Sequence, residues 1–322
     1  MDEGALRSLV IVGGGMAGWT AASMIARKFR PGPLRITVIE NEDDGRGDLP
    51  ADLVDGSATP LMRKFNAALG IEENRFLAQS SGTFRLGTEF CDWREAGNVH
   101  FHGYGDFGEA IDGIALHHFW LRLRAGGDTA PIDDWSLAYA AASRGRFAVP
   151  AGDGARFRHG YHFDAAQHVR FLRAYAERSG VERIDGRVVD AALEGADGHI
   201  AAVTLADGRV VDGEFFIDCS GFEGLLIEKV LQTGYEDWSH WLPCDSAVLA
   251  PGKRSGSLPP HAVSLAREAG WLGQAALQHR DDWGYFYSSR FSDDDRARAV
   301  LLAAMAGEPL APPRLLRFTS VH

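Results

Sequence analysis

A glycine-rich turn close to the N-terminus is the part of the chain whose residue types and spacing most clearly predict chemistry. It reads G-x-G-x-x-G, and its predicted cofactor contacts are Gly13, Gly15, Ala17 and Gly18. The first glycine would permit a tight turn, the second would let a pyrophosphate approach the backbone, and the third would allow a helix to pack closely on a strand. Glu40, about twenty residues further on, would accept hydrogen bonds from ribose hydroxyls.

The segments around this turn are the elements that must position it. Residues 9–12 form an apolar run that predicts a buried strand, residues 19–29 are apolar at helical spacing, and residues 34–39 predict a second strand that ends at Glu40. A helix that begins at the turn would direct its free N–H groups at phosphates. Glycine-rich turns alone are common, so a turn without a ligand remains an alternative, but the flanking elements favour a dinucleotide-binding βαβ unit.

Composition narrows the class of protein. The 322 residues are 45% hydrophobic and 24% charged, which predicts a globular chain with one large or two modest domains. A net charge of −11 argues against a nucleic-acid surface, and no apolar run is long enough to span a bilayer. The three separated cysteines, Cys91, Cys219 and Cys244, predict neither a disulfide framework nor a metal site. With no basic leader, these features predict a reducing, cytoplasmic location.

Patterning further along the chain predicts mixed secondary structure. We expect a long loop over 41–59, a helix over 60–69, a strand over 83–93, an irregular segment over 97–113, and helices near 115–123 and 135–142. We then expect a helix over 165–178 capped by Asp164, a β-meander over 188–193, 200–205 and 209–211 with a hairpin turn at 206–208, a strand over 215–218 and a final helix over 293–305. Adjacent side chains diverge, so His117 and His118 are not expected to share a metal ion.

Several stretches then resemble one family. The strand that ends in Asp-Cys-Ser-Gly-Phe at 218–222 looks like the second flavin-contacting segment of FAD monooxygenase-type proteins, which places Asp218 and Gly221 near the flavin. Residues 82–94, 161–164, 236–245, 269–271 and 284–291 resemble stretches of the flavin-dependent tryptophan halogenase family, in the same order along the chain. The resemblance covers nearly the whole chain.

The resemblance implies a fold and a domain arrangement. The fold would be α/β, with an FAD-binding Rossmann-like domain of the glutathione-reductase or FAD-monooxygenase type and an inserted mixed substrate region. Residues 1–80 would form the N-terminal FAD-binding part, 81–160 the substrate-region insertion, 161–235 the return to the FAD-binding domain, and 236–322 a substrate-region sheet and helix.

The resemblance also implies a reaction. In the family, a separate flavin reductase supplies reduced FAD, and oxygen and a halide ion give a hypohalous acid that reaches an electron-rich aromatic ring. The chain would therefore be an FAD-dependent oxidoreductase acting on a small, indole-like substrate. Its partners would be the reductase and that substrate, without nucleic acid or membrane, and with a homodimer left open. No metal ion is implied.

The chain departs from the family at its catalytic position. Arg85 stands where the family has a catalytic lysine. A guanidinium stays protonated, so it can donate hydrogen bonds to hypohalous acid or bind halide, but it forms a haloamine poorly. Arg85 could also simply pair with an acid on a strand. His102, Tyr104 and Trp271 occupy positions that the family uses around the substrate, and aromatic surfaces suit a flat, electron-rich ring.

Further departures concern the flavin side and the wall between the sites. The segment 55–60 stands in place of the family's flavin strap, with Ala58 and Thr59 as its predicted cofactor contacts and Ser57 replacing a glutamate. Only the first tryptophan of the family's W-x-W-x-I-P segment is kept, and Gly273, Ala275 and Ala276 are expected to loosen the wall between flavin and substrate.

The resemblance also implies that relatives continue beyond residue 322 with a further flavin contact and a glutamate that supports halogenation. We therefore expect little or no halogenation, and we do not expect Arg85→Lys alone to restore it. Two alternatives stay open at this point: a halide-independent flavin monooxygenase or oxidase, and a catalytically inactive, truncated FAD-binding remnant.

Overall fold

The computed structural model describes residues 6–29, 31–41, 57–149, 158–195, 198–254, 256–305 and 307–321. The helices are α1 (Met16–Phe29), α2 (Leu61–Leu69), α3 (Glu73–Gln79), α4 (Leu116–Ala125), α5 (Leu137–Ala142), α6 (Ala165–Arg178) and α7 (Asp294–Ala304). The strands of the first half are β1 (Ser8–Val12), β2 (Arg35–Glu40), β3 (Ser57–Ala58), β4 (Thr83–Arg85), β5 (Gly87–Cys91), β6 (Val99–Gly103) and β7 (Gly160–His162). Those of the second half are β8 (Glu182–Asp185), β9 (Val188–Glu194), β10 (His199–Leu205), β11 (Val210–Asp212), β12 (Phe215–Asp218), β13 (Ser246–Gly252), β14 (Ala262–Arg267), β15 (Gly270–Ala276), β16 (Asp281–Tyr287) and β17 (Arg314–Arg317).

A parallel sheet lies at the centre of the N-terminal half. Its strands follow the order β12-β1-β2-β8, with Val10 of β1 opposite both Phe216 and Thr37. Every residue of β1 is buried, as expected for a strand of a parallel sheet that is covered on both faces. Helices α1 and α6 pack against one another, and Trp19 of α1 is fully buried in the core. The α/β fold with a parallel dinucleotide-type sheet is therefore confirmed.

Several predicted elements of this half are confirmed. Asp164 caps α6, because its Oδ1 accepts a hydrogen bond from the backbone N–H of Gln167 at 2.9 Å. The β-meander forms the antiparallel sheet β11-β10-β9, and its 206–208 turn lies between β10 and β11. The strand at 215–218 has the predicted bounds. In each case the signal is local, being a side-chain cap, an alternation of burial or a short apolar run.

A seven-stranded sheet dominates the other half, in the order β17-β13-β16-β15-β14-β5-β6. Helix α7 covers one face of this sheet, where Ala297 and Leu301 pack with Leu272, Tyr285 and Tyr287. Strand β14 pairs in parallel with β5, so a strand from residues 87–91 is built into a sheet made mostly from residues beyond 245.

A small fourth sheet joins the two halves. It has the order β3-β7-β4, and Tyr161 in its central strand lies opposite Ala58 on one side and Phe84 on the other. The predicted flavin strap and the strand that carries Arg85 are therefore hydrogen-bonded to the same strand.

The structure corrects two predictions in the 83–113 region. The single strand predicted over 83–93 is wrong, because β4 and β5 belong to different sheets. The strand is interrupted at Leu86, whose backbone N–H donates to the Pro260 carbonyl at 2.7 Å. The irregular segment predicted over 97–113 contains β6, which pairs with β5. The first error arises because β5 pairs with β14, which is far away in the sequence.

Other boundaries differ by small amounts. Helix α5 begins at Leu137, after Ser136, whose Oγ accepts from the Tyr139 N–H at 3.3 Å, so the predicted start at Trp135 is two residues early. Most of the loop predicted over 41–59 lies outside the described residues, and 57–58 form β3. Within the described ranges, no helix is long and apolar enough to cross a membrane.

Candidate functional site

The carboxyl ends of the four parallel strands meet at one cavity of about 460 Å³. Strand β1 contributes Val12 and the glycine turn, β2 contributes Glu40, the segment after β8 contributes Arg187, and the segment after β12 contributes Ser220. Open α/β sheets bind their ligands outside the carboxyl ends of the strands. The parallel topology therefore brings the predicted turn and the predicted acid to one nucleotide-sized cavity.

Three glycines of the segment 13–18 leave no room for side chains. Gly13 has φ +115°, and a Cβ there would overlap the carbonyl oxygen of Cys219. A Cβ at Gly14 would overlap the Glu40 side chain, and one at Gly18 would overlap the carbonyl oxygen of Gly13. The close helix–strand packing expected of Gly18 is thus seen directly, and Gly14, which the motif does not require, is equally restricted.

Glu40 is more strongly anchored than the sequence indicates. Its carboxylate is 8% exposed, and Oε2 accepts a hydrogen bond from Trp19 Nε1 at 2.9 Å. Oε1 pairs with the guanidinium of Arg173 at 2.9 Å and with that of Arg183. Two arginines offset the burial of one carboxylate here, and these contacts hold it against Gly14 at the cavity wall. Its predicted ribose contact remains a prediction.

Asp218 organises the segment that follows β12. Its Oδ1 accepts from the N–H and the hydroxyl of Ser220, and its Oδ2 accepts from the N–H groups of Leu226 at 2.7 Å and Ile227 at 3.0 Å. Burial would raise the pKa of Asp218, but these hydrogen bonds outweigh burial and lower the pKa. Gly221 follows with φ +69°. The carboxylate thus shapes the turn beside the cavity, and the flavin contact predicted for this pair remains a prediction.

A second, larger cavity of about 1010 Å³ collects other predicted residues. His102 of β6 and Tyr104, which follows that strand, line this space together with helix α2 and with Thr59, which precedes that helix. Tyr161 of β7 also lines it. The structure therefore places two of the three predicted substrate residues, and one predicted strap residue, around one cavity.

Arg85 lies beside this cavity. Its guanidinium carbon is 5.6 Å from the centroid of the Tyr104 ring, and its Nη2 donates to Thr88 Oγ1 at 2.6 Å. Burial raises the pKa of the Tyr104 phenol, and the charge of Arg85 opposes part of that rise. The permanent positive charge of Arg85, held against the Tyr104 ring, can bind an anion.

Trp271 is not among the residues that line this cavity. It lies on β15, where its ring stacks on Phe286 at 4.3 Å between centroids and lies 6.4 Å from the ring of Trp93. Gly273, the position of a second family tryptophan, faces Gly284 of β16. Ala275 and Ala276 are almost fully buried, so the small residues of this strand are packed.

The sequence analysis missed a polar cluster in the wall of the second cavity. The Tyr161 hydroxyl donates to Glu73 Oε1 at 2.5 Å, and His159 Nε2 lies 2.7 Å from the same oxygen. Burial would raise the pKa of Glu73, but the hydrogen bonds from Tyr161 and His159 outweigh it and lower the pKa. No spacing signals this cluster, because its members are about 87 residues apart along the chain and meet only through β7 and α3.

The cysteines and histidines in the described part of the chain provide no further site. Cys91, Cys219 and Cys244 are free thiols, and burial raises the pKa of each, which opposes thiolate formation. The rings of His117 and His118 lie 4.0 Å apart, so the expectation that they diverge is wrong. Among the described residues, no group of three or more His, Cys, Asp or Glu side chains could hold a metal ion.

The parallel sheet with its glycine turn defines a dinucleotide-binding α/β protein, to which a second, sheet-containing half is attached. Comparison with known proteins refines this class. The family described as tryptophan halogenase matches residues 8–321, and the chain belongs to that family.

Individual relatives agree with this assignment. Tryptophan 7-halogenase RebH of Lentzea aerocolonigenes is 31% identical over 314 residues, covering 92% of this chain and 58% of RebH. The structure of BrvH, a flavin-dependent halogenase from Brevundimonas sp. BAL3, is similar with a TM-score of 0.90 and 39% identity, over 98% of this chain and 63% of BrvH. Xcc4156, a flavin-dependent halogenase from Xanthomonas campestris, has a TM-score of 0.91 and 36% identity, over 98% of this chain and 62% of that protein. The chain spans about three fifths of the length of these relatives.

Proposed function

We propose that this chain is an FAD-binding oxidoreductase of the flavin-dependent halogenase type. Its substrates would be a halide ion, dioxygen and a small indole-like aromatic, and a separate flavin reductase would supply reduced FAD. The observation that carries the proposal is the cavity at the carboxyl ends of β12, β1, β2 and β8, lined by backbone that has no room for side chains. The relatives described as halogenases support the choice of reaction.

The residues present fit such a cofactor. Bare backbone at Gly13 and Gly14 lines the cavity, and α1 begins beside it, so N–H groups are available to phosphate oxygens. Gly15, Ala17, Gly18 and Glu40 would complete the adenosine diphosphate half, and the flavin side would be held by Asp218, Gly221, Ala58 and Thr59. Bound reduced FAD would supply the electrons that activate dioxygen for halide oxidation.

The second cavity would hold the aromatic substrate. His102 and Tyr104 would provide flat contacts for its ring. Arg85, beside Tyr104, would bind halide or donate a hydrogen bond to hypohalous acid. Because a guanidinium does not deprotonate near neutral pH, it cannot act through a haloamine, and we expect turnover to be low.

The first test is a titration of the purified chain with FAD, followed by flavin fluorescence and by the shift in melting temperature. We expect saturable binding and a melting temperature that rises with FAD concentration, because a ligand that binds only the folded state stabilises it. A folded chain with no detectable FAD binding would contradict the proposal and favour the inactive remnant.

The second test separates the reaction classes. The FAD-loaded chain is supplied with a flavin reductase, NADH, indole and bromide, and bromoindole and hydrogen peroxide are measured with and without bromide. The proposal predicts a small bromide-dependent yield of bromoindole, which Arg85→Gln lowers further. Peroxide or oxygenated indole formed at the same rate without bromide would instead identify a halide-independent oxidase or monooxygenase.

Two finer features remain part of the proposal. A homodimer would be detected by light scattering after size-exclusion chromatography, and a cytoplasmic location by fractionation of the source cells. Dependence of turnover on added reductase tests the proposed partner directly.

A further inference from the structure

Three arginines line a groove between helices α3 and α6, which we call the arginine groove. Its volume is about 470 Å³, and its sides are formed by Arg75 and Gln79 from α3 and by Gln167, Arg170 and Arg178 from α6. The groove shares no lining residue with the cavity at the parallel strands or with the cavity beside α2. It is therefore a separate feature of the nucleotide-binding half.

Helical spacing explains why these side chains converge. Gln167, Arg170 and Arg178 recur at intervals that place them on one face of α6, and α3 packs against this helix. Phe171, which is 6% exposed, forms the floor of the groove, and the guanidinium carbon of Arg75 lies 5.5 Å from the centroid of its ring. The groove thus has a packed apolar floor and charged sides.

The positive charge of the groove is not balanced by neighbouring acids. No acid lines the groove, and within the described ranges Arg75, Arg170 and Arg178 make no ion pair. Arg173 of the same helix, by contrast, pairs with Glu40 and Glu177. Guanidinium groups stay protonated and repel one another, so this cluster opposes folding unless an anion binds to it. It also stands out in a chain whose net charge is −11.

The hydrogen-bonding groups of the groove favour a ligand that is rich in acceptors. Arginine side chains only donate hydrogen bonds. The amide of Gln167 is held by Ser81, whose hydroxyl donates to its Oε1 at 2.9 Å, and this contact leaves Nε2 to donate to a ligand. Arg170 and Arg178 are eight residues apart, which is about 12 Å along a helix. A ligand that contacts both arginines must therefore carry more than one anionic group.

We propose that the arginine groove binds a diphosphate group, either free or as part of a nucleotide. The fork of donors on each guanidinium matches pairs of phosphate oxygens, and two linked phosphates offer such oxygens towards Arg75 of α3 and towards Arg170 and Arg178 of α6 together. A groove with donors on both sides favours a compact anion over an acidic protein surface. This assignment does not depend on the proposed function, because it involves neither the glycine turn nor Arg85.

The test is calorimetric titration of the chain with pyrophosphate, ADP, adenosine and sulfate, before and after saturation with FAD, which would cover the glycine turn. We expect pyrophosphate and ADP to bind in both conditions, and adenosine not to bind. Sulfate should bind about tenfold more weakly than pyrophosphate, because it offers fewer charged oxygens. ADP that binds more tightly than pyrophosphate would identify a nucleotide as the ligand, and equal affinities would identify free diphosphate.

Substitutions locate the binding. The double substitution Arg170→Gln and Arg178→Gln should lower pyrophosphate affinity at least about tenfold, since it removes two charge-assisted contacts. It should leave FAD affinity unchanged, and it should not lower the melting temperature, because it relieves repulsion. Pyrophosphate should raise the melting temperature of the wild type but not that of the double variant. Arg94→Gln removes the charge of an exposed arginine outside the groove and both cavities, and is the matched control.

The outcomes separate this proposal from the proposed function. Pyrophosphate binding that disappears on FAD saturation, or that the double variant retains, would assign the anion to the glycine turn and overturn the proposal. No binding of pyrophosphate, equal binding of sulfate, or equal effects of the double substitution and Arg94→Gln would also overturn it. An octaglutamate peptide that binds the groove more tightly than pyrophosphate would instead identify an acidic protein partner. A chain that binds pyrophosphate in the groove but binds no FAD would retain the groove and refute the proposed function.

Discussion

Glu73 illustrates how single residues organise this molecule. One carboxylate oxygen of this helical residue accepts a hydrogen bond from the Tyr161 hydroxyl and lies next to His159 Nε2. The guanidinium of Arg63 also lies near this oxygen. These contacts tie α2 and α3 to β7, the strand that also pairs with β3 and β4. At other positions the neighbouring atoms leave no room for a larger side chain, and the glycine turn is the clearest case.

Gly13→Ala should destabilise the chain and abolish FAD binding. The residue has φ +115°, and its Cβ would overlap the Cys219 carbonyl, so backbone strain and a steric clash both oppose the substitution. We expect a loss of about 3 kcal/mol or more in the free energy of unfolding, measured by urea denaturation.

Gly97→Ala is the matched control for this substitution. Gly97 also has a positive φ of +82°, but a Cβ there would meet nothing within 4 Å. It should therefore cost only about 1 kcal/mol, from backbone conformation alone. Equal losses at the two positions would show that the contact with Cys219 is not what restricts Gly13.

His168 should make stability depend on pH. The ring is fully buried between Phe76 and Phe163, its nitrogens have no partner among the described residues, and burial lowers its pKa from 6.5 to about 4. The unfolded chain binds a proton below about pH 6.5 while the folded chain does not, so stability falls as the pH falls from 6.5 towards 4. The loss from this group alone is on the order of 3 kcal/mol.

His168→Leu tests this contribution. Urea denaturation at several pH values between about 8 and 4 should show a shallower decline for the variant than for the wild type. Other buried histidines, such as His162 and His159, keep part of the dependence, because burial lowers their pKa values too. An unchanged slope would mean that His168 takes up its proton equally well in the folded chain.

At the scale of secondary-structure elements, a side-chain cap determines where helix α7 begins. Helix α7 begins at Asp294 because the side chain of Asp293 accepts a hydrogen bond from the Arg296 N–H at 2.8 Å. The same helix buries Ala297 and Leu301 against the seven-stranded sheet. Helix α7 therefore covers strands β13, β15 and β16, and its start depends on the Asp293 cap.

Asp293→Ala should destabilise the chain by about 1 kcal/mol, because the first turn of α7 loses its side-chain acceptor. Asp295→Ala is the control in the same turn, since Asp295 is almost fully exposed and makes a 3.7 Å pair with Arg298. Its substitution should cost less than about 0.5 kcal/mol. Urea denaturation measures both, and equal effects would mean that the cap does not limit α7.

At the scale of the whole molecule, a few buried polar contacts hold the two halves together. Thr83 Oγ1 donates to the Ala276 carbonyl at 2.6 Å, and the Gln278 amide donates to the Gly82 carbonyl at 2.7 Å. Arg280 bridges Asp164, the cap of α6, and Asp282 of β16, at 3.1 and 2.6 Å. These contacts fix the seven-stranded sheet against the nucleotide-binding half.

Arg280→Met should destabilise the chain by about 3 kcal/mol near neutral pH, because the buried carboxylate of Asp282 loses its cationic partner and Asp164 is left with the Gln167 N–H and His279. Burial raises the pKa of Asp282 to about 6 even with Arg280 present, so stability from this group is lost as the pH rises through 6. Without the arginine the deficit should grow from about pH 5 to about pH 8 in urea denaturation.

Arg296→Met provides the comparison for a surface pair. Arg296 pairs with Glu268 at 2.6 Å, but both side chains are more than half exposed, so the loss should stay below about 1 kcal/mol at every pH. A deficit for Arg280→Met that does not change with pH would contradict the assignment to buried carboxylates.

The sequence by itself determined the features whose causes are local. The apolar run, the glycine turn and the acid at the end of the next strand specify a βαβ unit, and the Asp164 cap and the 206–208 turn specify a helix start and a hairpin. Each depends on residues within a few positions of one another, so the pattern carries the physical cause. Resemblance to a family added the expected site residues.

Only the tertiary structure decided which of those residues meet. It divided 83–93 between two sheets, placed His102 and Tyr104 opposite α2, and put Trp271 into a separate aromatic stack. Strand pairing and cavity walls depend on partners far apart in sequence, and their free energy comes from burial that no local pattern records.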